Sequence, residues 1–202
     1  MIKKNKKFDI IIIGAGLSGL VLAYDLSKRT KKKILKIEQK KKFENDKNWC
    51  FWSLPKNYFK SRNDNSWKKI YISIDDKKKV LFEDGIEYLH IKSITFYNQI
   101  INKIKKNKNI EILMNHKLTN INSENSINYV NVNKKTFVSK LVFDSRPPKF
   151  NKEKNQLFQH FYGAMISFSD NLFNQDEVTL MDFQEFSDGI HFLYILPFTQ
   201  KK

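Results

Sequence analysis

Hydrophobic and polar positions follow several patterns along the chain, and the N-terminal pattern is the most informative. Residues 10–13 are four consecutive isoleucines, which predicts a strand buried on both faces, because β-branched side chains suit a covered sheet. After Gly19 the apolar positions have helical spacing through Leu26. A second apolar run, 33–37, ends at Glu38. The pattern predicts a β-α-β unit of a parallel sheet.

Downstream, the pattern predicts one further helix among short strands. The apolar positions of 96–104 recur at helical spacing. Short apolar or alternating runs predict strands at 67–74, 79–82, 110–113, 127–132, 135–138 and 140–143. A second, strongly apolar layer of strands is predicted at 158–163, 178–183 and 192–198, with Gly189 in the hairpin turn between the last two.

The turn between the first strand and the first helix carries three glycines. Gly14, Gly16 and Gly19 have the spacing G-x-G-x-x-G. In a dinucleotide-binding turn the first glycine permits the tight turn, the second lets a pyrophosphate approach the backbone, and the third lets the helix pack closely. The N–H groups at the helix start bind the phosphates. The predicted cofactor-binding residues of this turn are Gly14, Ala15, Gly16, Leu17, Ser18 and Gly19.

Glu38 follows Gly19 by 19 residues and ends the second predicted strand. A carboxylate at this position can accept hydrogen bonds from both adenosine ribose hydroxyls. It also disfavours a ribose 2′-phosphate, so NAD or FAD is favoured over NADP. The other interpretation is a glycine-rich turn in an ordinary β-α-β unit.

A later buried run, 140–143, continues into Asp144-Ser145-Arg146 and is stopped by two prolines. Residues at the carboxyl ends of strands face the ligand crevice in doubly wound folds. If this run joins the first sheet, Asp144 and Arg146 lie near the cofactor. The other interpretation is a surface Asp–Arg pair.

Two features of the remaining chain are candidates for a second site. Residues 48–52 place Trp49 and Trp52 on either side of a phenylalanine, as core or as the wall of an apolar cavity, and composition favours core. Asp182 lies inside the apolar run 178–183, where an unpaired buried carboxylate would cost several kcal/mol. The alternative for Asp182 is an exposed position on the polar face of an edge strand.

The chain is strongly basic, with 37 Lys and Arg against 21 Asp and Glu and a formal charge of +16. Compositional drift is the favoured explanation, followed by attraction to an anionic membrane surface. Nucleic-acid binding is the least favoured, because only three of the basic residues are arginines. The three arginines are Arg29, Arg62 and Arg146.

Cysteine content and the N-terminus narrow the class of protein further. Cys50 is the single cysteine of the 202 residues, which excludes a disulfide framework and a cysteine-based metal site, and no metal site is predicted. Residues 1–7 are basic without the apolar segment of a signal peptide. Residues 10–26 are interrupted by three glycines and Asp25, so no transmembrane helix is predicted. A cytoplasmic location is expected.

Taken together, these stretches resemble the lycopene cyclase family of carotenoid-synthesising flavoproteins. The similarity extends over nearly the whole chain, in order and at compatible spacings. It is carried by 9–19 with Glu38, and by 48–52, 142–146, 159–163, 179–183 and 194–198.

The resemblance implies an α/β fold: an FAD/NAD(P)-binding Rossmann-like domain of the glutathione-reductase type, with an incomplete β-rich substrate domain. The FAD-binding domain is expected at 1–150, with a small inserted meander at about 50–92. The first strands of the substrate domain are expected at 151–202. The family's catalytic glutamate and the closing Gly-Asp element of its FAD site are expected beyond residue 202, so this chain is expected to be inactive by itself.

The implied reaction converts the ψ-ends of lycopene into β-rings, giving γ- and then β-carotene without net redox change. It uses reduced FAD, with NAD(P)H as the reductant. A general acid protonates the end-group olefin, and an aromatic tunnel suits the C40 polyene and its cation. Candidate acids are Asp182 and His160, and candidate lining residues are Trp49, Trp52, Phe158 and Tyr162. Peripheral membrane association is expected, since the substrate is dissolved in lipid.

Two rival functions remain open. One is an FAD-dependent monooxygenase or prenyl reductase of the same fold, since a fold does not determine its chemistry. The other is a non-catalytic basic protein that binds lipid or RNA. The oligomeric state is not predicted.

Overall fold

The computed structural model describes residues 6–53, 64–74, 77–81, 84–148, 159–185 and 189–202. These residues group into two compact units. Unit 1 contains Met1–Asp46 and Ile94–Asn155, and unit 2 contains Lys47–Ser93 and Gln156–Lys202. In chain order the elements are β1 Lys6–Ile13, α1 Leu17–Arg29, β2 Ile34–Ile37, β3 Asn48–Trp52, β4 Asn65–Trp67, β5 Lys69–Ile74, β6 Lys77–Leu81, β7 Tyr88–Lys92, α2 Ser93–Ile104, β8 Ile110–Leu113, β9 Leu118–Glu124, β10 Ile127–Val132, β11 Lys135–Asp144, β12 Glu177–Gln184 and β13 His191–Ile195.

Unit 1 is built on a six-stranded sheet with the order β8-β2-β1-β11-β10-β9. The first four strands in this order are parallel, and β10 and β9 add an antiparallel extension. The predicted β-α-β unit is confirmed as β1, α1 and β2, and all four isoleucines of 10–13 are buried. The core of this sheet includes a buried cluster of Ile11, Ile13, Leu35, Ile37, Val130, Val132 and Phe137.

Strand β11 is longer than the sequence pattern indicates. The runs 135–138 and 140–143, predicted as two strands, form one strand that continues through Ser139. Ser139 is buried, and its hydroxyl donates to the carbonyls of Asp9 at 2.9 Å and Leu141 at 2.8 Å. These bonds satisfy the hydroxyl inside the sheet, so the strand does not break at this polar residue.

Unit 2 contains two sheets, a four-stranded sheet β13-β12-β5-β6 and a three-stranded sheet β3-β7-β4. The predicted run 67–74 is divided between them, because β4 ends at Trp67 and β5 begins at Lys69. Residues 48–52, for which the sequence pattern predicts no strand, form strand β3 and pair antiparallel with β7. The predicted hairpin of β12 and β13 is confirmed, with Gly189 at a φ of +146° beside it.

The inserted segment shares a core with the C-terminal residues. Trp67, Ile70 and Tyr88 are buried together with Val178. The indole N–H of Trp67 donates to the Pro197 carbonyl at 3.0 Å. The meander expected in the first domain at about 50–92 therefore lies within 47–93, which group with 156–202 because their aromatic side chains are buried against that segment.

Among the described residues neither helix combines the length and the apolar character needed to cross a bilayer.

Candidate dinucleotide-binding site

The predicted glycine fingerprint occupies the turn between β1 and α1, and two of its glycines are required by the packing of the protein itself. Gly14 has a φ of +85°, and a Cβ at this position would lie 2.7 Å from Ser145 Oγ. A Cβ at Gly19 would overlap the Gly14 carbonyl oxygen and the Lys36 amine. Side chains at these positions would strain the turn or push α1 away from the sheet.

Gly16 differs from the other two glycines, because no protein atom lies within 4 Å of the position that its Cβ would take. Its φ of −73° is also accessible to other residues. Gly16 is the N-cap of α1, and no side chain caps this helix end or places an acid in its first turn. The open space therefore lies beside helix N–H groups that favour an anion.

The neighbouring fingerprint residues differ in exposure. Ala15 is buried, Leu17 is half-buried and Ser18 is exposed. The exposure of Ser18 shows that the first turn of α1 lies at the surface, where a ligand can reach the backbone amides.

Glu38 joins the fingerprint turn to the end of β2. It is only 7% exposed. Its Oε2 accepts the Ala15 N–H at 2.5 Å, and its Oε1 accepts the Lys40 N–H at 2.9 Å. A carboxylate has about four acceptor positions, so two remain for donors such as ribose hydroxyls.

Ser145 is a residue of this site that the sequence analysis missed. Strand β11 runs parallel to β1 with Asp144 opposite Ile13. The Ser145 N–H donates to the Ile13 carbonyl at 3.0 Å, and its hydroxyl donates to the carbonyls of Ile13 at 2.7 Å and Gly14 at 3.1 Å. The available signal was its position between Asp144 and Arg146, at the end of a buried run.

Asp144 and Arg146 satisfy parts of both interpretations made from the sequence. Their strand joins the first sheet, and Arg146 Cγ lies 3.6 Å from the position of a Gly14 Cβ. The two side chains also pair with each other, with Arg146 Nη2 2.7 Å from Asp144 Oδ2. Hydrogen bonding from Arg146 lowers the pKa of Asp144, and Asp144 raises the pKa of Arg146.

Lys36 is the second residue of the site that the sequence analysis missed. It is fully buried on β2, and its ammonium donates to the Gly14 carbonyl. Burial lowers the pKa of Lys36 to about 7, while the Glu38 carboxylate acts in the opposite direction. The signal was a charged side chain inside the apolar run 34–37 of a strand covered on both faces.

The candidate lining residues of unit 2 lie in two different settings. Trp49 and Trp52 are three positions apart on β3, so their side chains leave opposite faces of the strand. Trp52 is 42% exposed, and its ring centroid lies 5.0 Å from that of Tyr88. Residues 159–163 have no regular structure, so the strand predicted there is wrong, and Tyr162 is 98% exposed. Phe158 lies outside the described residues.

The two candidate acids are likewise on different elements. His160 is in the same exposed segment as Tyr162. Asp182 is half-buried on β12, opposite Leu193 of β13 and Ser73 of β5. The alternative that placed Asp182 on an edge strand is wrong, because strands flank β12 on both sides.

Unit 2 also contains a buried polar cluster that the sequence analysis did not identify. The hydroxyls of Tyr88 and Tyr194 are 3.0 Å apart, and Tyr194 also contacts Cys50. His90 is fully buried, with Nε2 3.0 Å from Asn48 Oδ1. Burial raises the pKa of Tyr88, Tyr194 and Cys50 and lowers the pKa of His90, so all four groups favour their neutral forms.

Comparison with solved structures defines the fold. A variant of PqsL from P. aeruginosa has 13% identity and a TM-score of 0.66, over 95% of this chain and 58% of that chain. PqsL is described as a probable FAD-dependent monooxygenase. A geranylgeranyl bacteriochlorophyll reductase-like protein from Thermoplasma acidophilum has 15% identity and a TM-score of 0.57, over 70% of this chain and 39% of that chain. CtdE, solved in complex with FAD, has 16% identity and a TM-score of 0.51, over 69% of this chain and 38% of that chain. The fold is the FAD-binding α/β fold.

The family follows from the sequence comparison. The lycopene cyclase protein family matches residues 9–202, and the chain belongs to this family. A search of curated proteins finds no significant match. The chain spans about two fifths of the length of the first solved structures that it matches, 42% and 41%.

Proposed function

We propose that unit 1 binds FAD through the turn between β1 and α1. The observation that carries this proposal is the open space at Gly16. The space at Gly14 and Gly19 is already filled by protein atoms, whereas a Cβ at Gly16 would meet none within 4 Å. This space adjoins a helix start with no acidic side chain in its first turn, as a diphosphate requires.

The chain's own residues have distinct roles in this proposal. The backbone amides of Gly16, Leu17 and Ser18 bind the diphosphate, and the free acceptor positions of Glu38 bind the ribose hydroxyls. Asp144 and Arg146 contact the cofactor from the neighbouring strand end. When bound, reduced FAD supplies an electron-rich ring that stabilises a nearby cation, and NAD(P)H is the proposed reductant.

For the reaction, we propose cyclisation of lycopene ψ-ends to β-rings, without net redox change. Membership of the lycopene cyclase family supports this proposal. Asp182 or His160 holds the proton that is delivered to the end-group olefin, and the carbocation closes onto a neighbouring double bond before a proton leaves. Trp49, Trp52, Phe158 and Tyr162 exclude water and present aromatic faces to the cation.

The activity is tested by expressing the natural reading frame that contains these residues in lycopene-accumulating bacteria. We expect γ- and β-carotene in the pigment extract. Lycopene alone, from cells in which the protein is folded and carries flavin, would contradict the cyclase proposal.

A second candidate function is an FAD-dependent monooxygenase or reductase, and the similarity to PqsL and to the reductase-like protein favours it. The two functions differ in stoichiometry. A monooxygenase or reductase consumes one NAD(P)H in each turnover, whereas cyclisation consumes none. Pyridine-nucleotide oxidation measured against product formed therefore separates them.

FAD binding is tested with Gly16→Val. No protein atom lies within 4 Å of the Cβ position at Gly16 in the free protein, and the valine occupies the place proposed for the diphosphate. We expect at least a tenfold loss of FAD affinity, equivalent to about 1.4 kcal/mol, measured by quenching of flavin fluorescence. The matched control is Gly163→Val in unit 2, because Gly163 also has no protein atom within 4 Å of its Cβ position.

We further propose peripheral association with an anionic membrane surface, from which a lipid-dissolved substrate is collected. A concave surface of unit 1, about 490 Å³ in volume, is lined by four lysines, Lys28, Lys103, Lys106 and Lys108. We expect salt-sensitive binding to anionic vesicles and no binding to neutral ones. Retention on RNA with a steep salt dependence would favour a nucleic-acid-binding protein instead.

A further inference from the structure

Lys36 is a charged residue at a fully buried position of β2, among apolar neighbours. Its neighbours Ile34, Leu35 and Ile37 are at most 1% exposed, and Lys36 itself is 0% exposed. The register places Lys36 between Ile12 of β1 and Ile112 of β8. A buried ammonium costs several kcal/mol unless it is paired, so the position carries a stability cost that packing does not explain.

The Lys36 side chain reaches the inside of the glycine turn. Its Nζ donates to the Gly14 carbonyl, and the same atom lies against the position of a Gly19 Cβ. The Ser145 hydroxyl donates to the same carbonyl at 3.1 Å. The amine is therefore held between β2 and α1, directly below the turn to which we assign the diphosphate.

Few charges oppose or support this amine. The Glu38 carboxylate is the charged group that acts on it, and it raises the pKa of Lys36. No acid lies in the first turn of α1, and Asp144 at the end of β11 is paired with Arg146. Glu111 of β8 is opposite Leu35, whose side chain leaves the other face of the sheet, and is paired with Lys6 of β1. Asp9 of β1 accepts the Lys33 N–H, and the His116 ring beyond β8 bonds to the Met114 carbonyl.

Burial is consequently the dominant influence, and it brings the pKa of Lys36 to about 7. Near neutral pH the amine of the free protein changes between its neutral and charged forms. A charge introduced close to it decides which of the two forms is populated.

The geometry points to Lys36 as a further cation of the dinucleotide site, whose amine takes up a proton from solvent when the diphosphate of FAD binds. This inference rests on the FAD-binding function proposed above. The step converts a neutral amine and one proton into an ammonium, and no other bond forms or breaks. A diphosphate diester carries two negative charges, and their attraction to an ammonium is strong in the low dielectric below the turn.

The sign of the pH dependence follows from linkage. The bound diphosphate raises the pKa of Lys36 above its value of about 7 in the free protein. FAD affinity is then constant below the pKa of the free protein. It falls as the pH rises through that value, by up to about tenfold per pH unit, until the pKa of the complex is reached.

The test is calorimetric titration of the protein with oxidised FAD at pH 8, in phosphate and in Tris, whose ionisation heats differ. The difference between the two heats gives the number of protons taken up. We expect about 0.9 proton per FAD for the unsubstituted protein. Lys36→Met should bind FAD with almost no uptake and with an affinity that does not change between pH 7 and pH 9. Lys33→Met removes an exposed lysine next to the same strand and should behave as the unsubstituted protein.

Each outcome of the titration either supports or contradicts proton uptake by Lys36. FAD binding without proton uptake in the unsubstituted protein overturns the role of Lys36 and leaves FAD binding intact, whereas a failure to bind FAD at any pH overturns both. If Lys36→Met does not fold, Lys36→Arg supplies the decision, because a guanidinium is already protonated in the free protein and has no proton to take up. Proton uptake that is lost in Lys36→Arg supports the role of Lys36, and uptake that persists contradicts it.

Discussion

The turn in unit 1 and the aromatic core of unit 2 are organised over very different distances in the sequence. Most of the fingerprint site lies within 1–46, where β1 and β2 pair directly through Ile10–Ile13 and Ile34–Ile37, and Ser145 joins it from the end of β11. In unit 2, Ile70 of β5 pairs with Val178 of β12, and residues 70 and 178 are 108 positions apart. Trp67 likewise bonds to Pro197 across 130 positions.

The two regions also differ in the kind of substitution that they tolerate. At Gly14 and Gly19 the glycine turn tolerates almost no added volume, because protein atoms lie against the positions that their Cβ atoms would take. The core of unit 2 instead depends on large side chains that fill its interior, among them Trp67 and Tyr88. We therefore expect added atoms to damage unit 1 and removed atoms to damage unit 2.

Trp67→Ala should give the largest loss of stability. Trp67 is 1% exposed and bonds to Pro197, so its removal leaves a cavity and an unsatisfied carbonyl, at a cost of about 3–5 kcal/mol. All three tryptophans lie in unit 2, so denaturant unfolding followed by the fluorescence of Trp49 and Trp52 reports this unit alone. Trp52→Ala, at a 42% exposed position, is the matched control, and an equal loss in both variants would contradict a core centred on Trp67.

Gly19→Ala should give the largest loss in unit 1. The methyl group would overlap the Gly14 carbonyl and the Lys36 amine, and such overpacking costs about 1–3 kcal/mol. Hydrogen exchange of the amides of β1 and β2 measures the loss within this unit, and FAD affinity should fall with it. Gly16→Ala adds the same methyl group where no atom lies within 4 Å, so equal destabilisation of the two variants would show that close packing is not the reason.

These differences explain how far the sequence alone predicts the molecule. The β-α-β unit and Glu38 were predictable, because a glycine turn and two short strands are local features with strong physical requirements. The division of 67–74 between two sheets was not predictable, because β4 pairs with β7 whereas β5 pairs with β12, which lies more than a hundred residues away. Strand β3 was missed since its partner β7 lies beyond residues 54–63, and an aromatic run has the same local pattern in a loop and in a strand.

The candidate site was predicted only in part for a related reason. The glycines and the residues at the end of β11 have recognisable positions in the motif. Lys36 and Ser145 act through contacts made across the turn, to Gly14 and Ile13, and spacing does not reveal such contacts. A buried lysine inside an isoleucine-rich strand was the one local signal, and the many exposed lysines of the chain obscured it.

The pH dependence of stability should distinguish unit 1, which contains Lys36, from unit 2. Lys36 has a pKa of about 7 in the folded protein and a higher value in the unfolded chain. The unfolded state therefore binds more protons between these values, and the stability of unit 1 without FAD should rise with pH, by up to about 1.4 kcal/mol per unit above pH 7. Hydrogen exchange of β1 and β2 at pH 7 and pH 9, corrected for intrinsic rates, measures this rise. Lys36→Met should lose the rise and Lys33→Met should retain it; a rise of equal size in Lys36→Met would assign the effect to other groups.

Asp144→Asn should have the smallest effect, although it lies at the same sheet edge as the sensitive glycines. The Asp144–Arg146 pair is partly exposed, with 37% and 48% of the two side chains accessible, so solvent weakens the interaction and its loss costs less than about 1 kcal/mol. Because Arg146 lowers the pKa of Asp144, this small contribution is present above the pKa of Asp144 in the unfolded chain and is lost as the pH falls through the folded value. Thermal unfolding at neutral pH measures the stability, and flavin fluorescence measures the affinity. A reduced affinity with unchanged stability places the pair at the cofactor. An unchanged affinity leaves it as a surface pair and limits the site to the turn, Glu38 and Lys36.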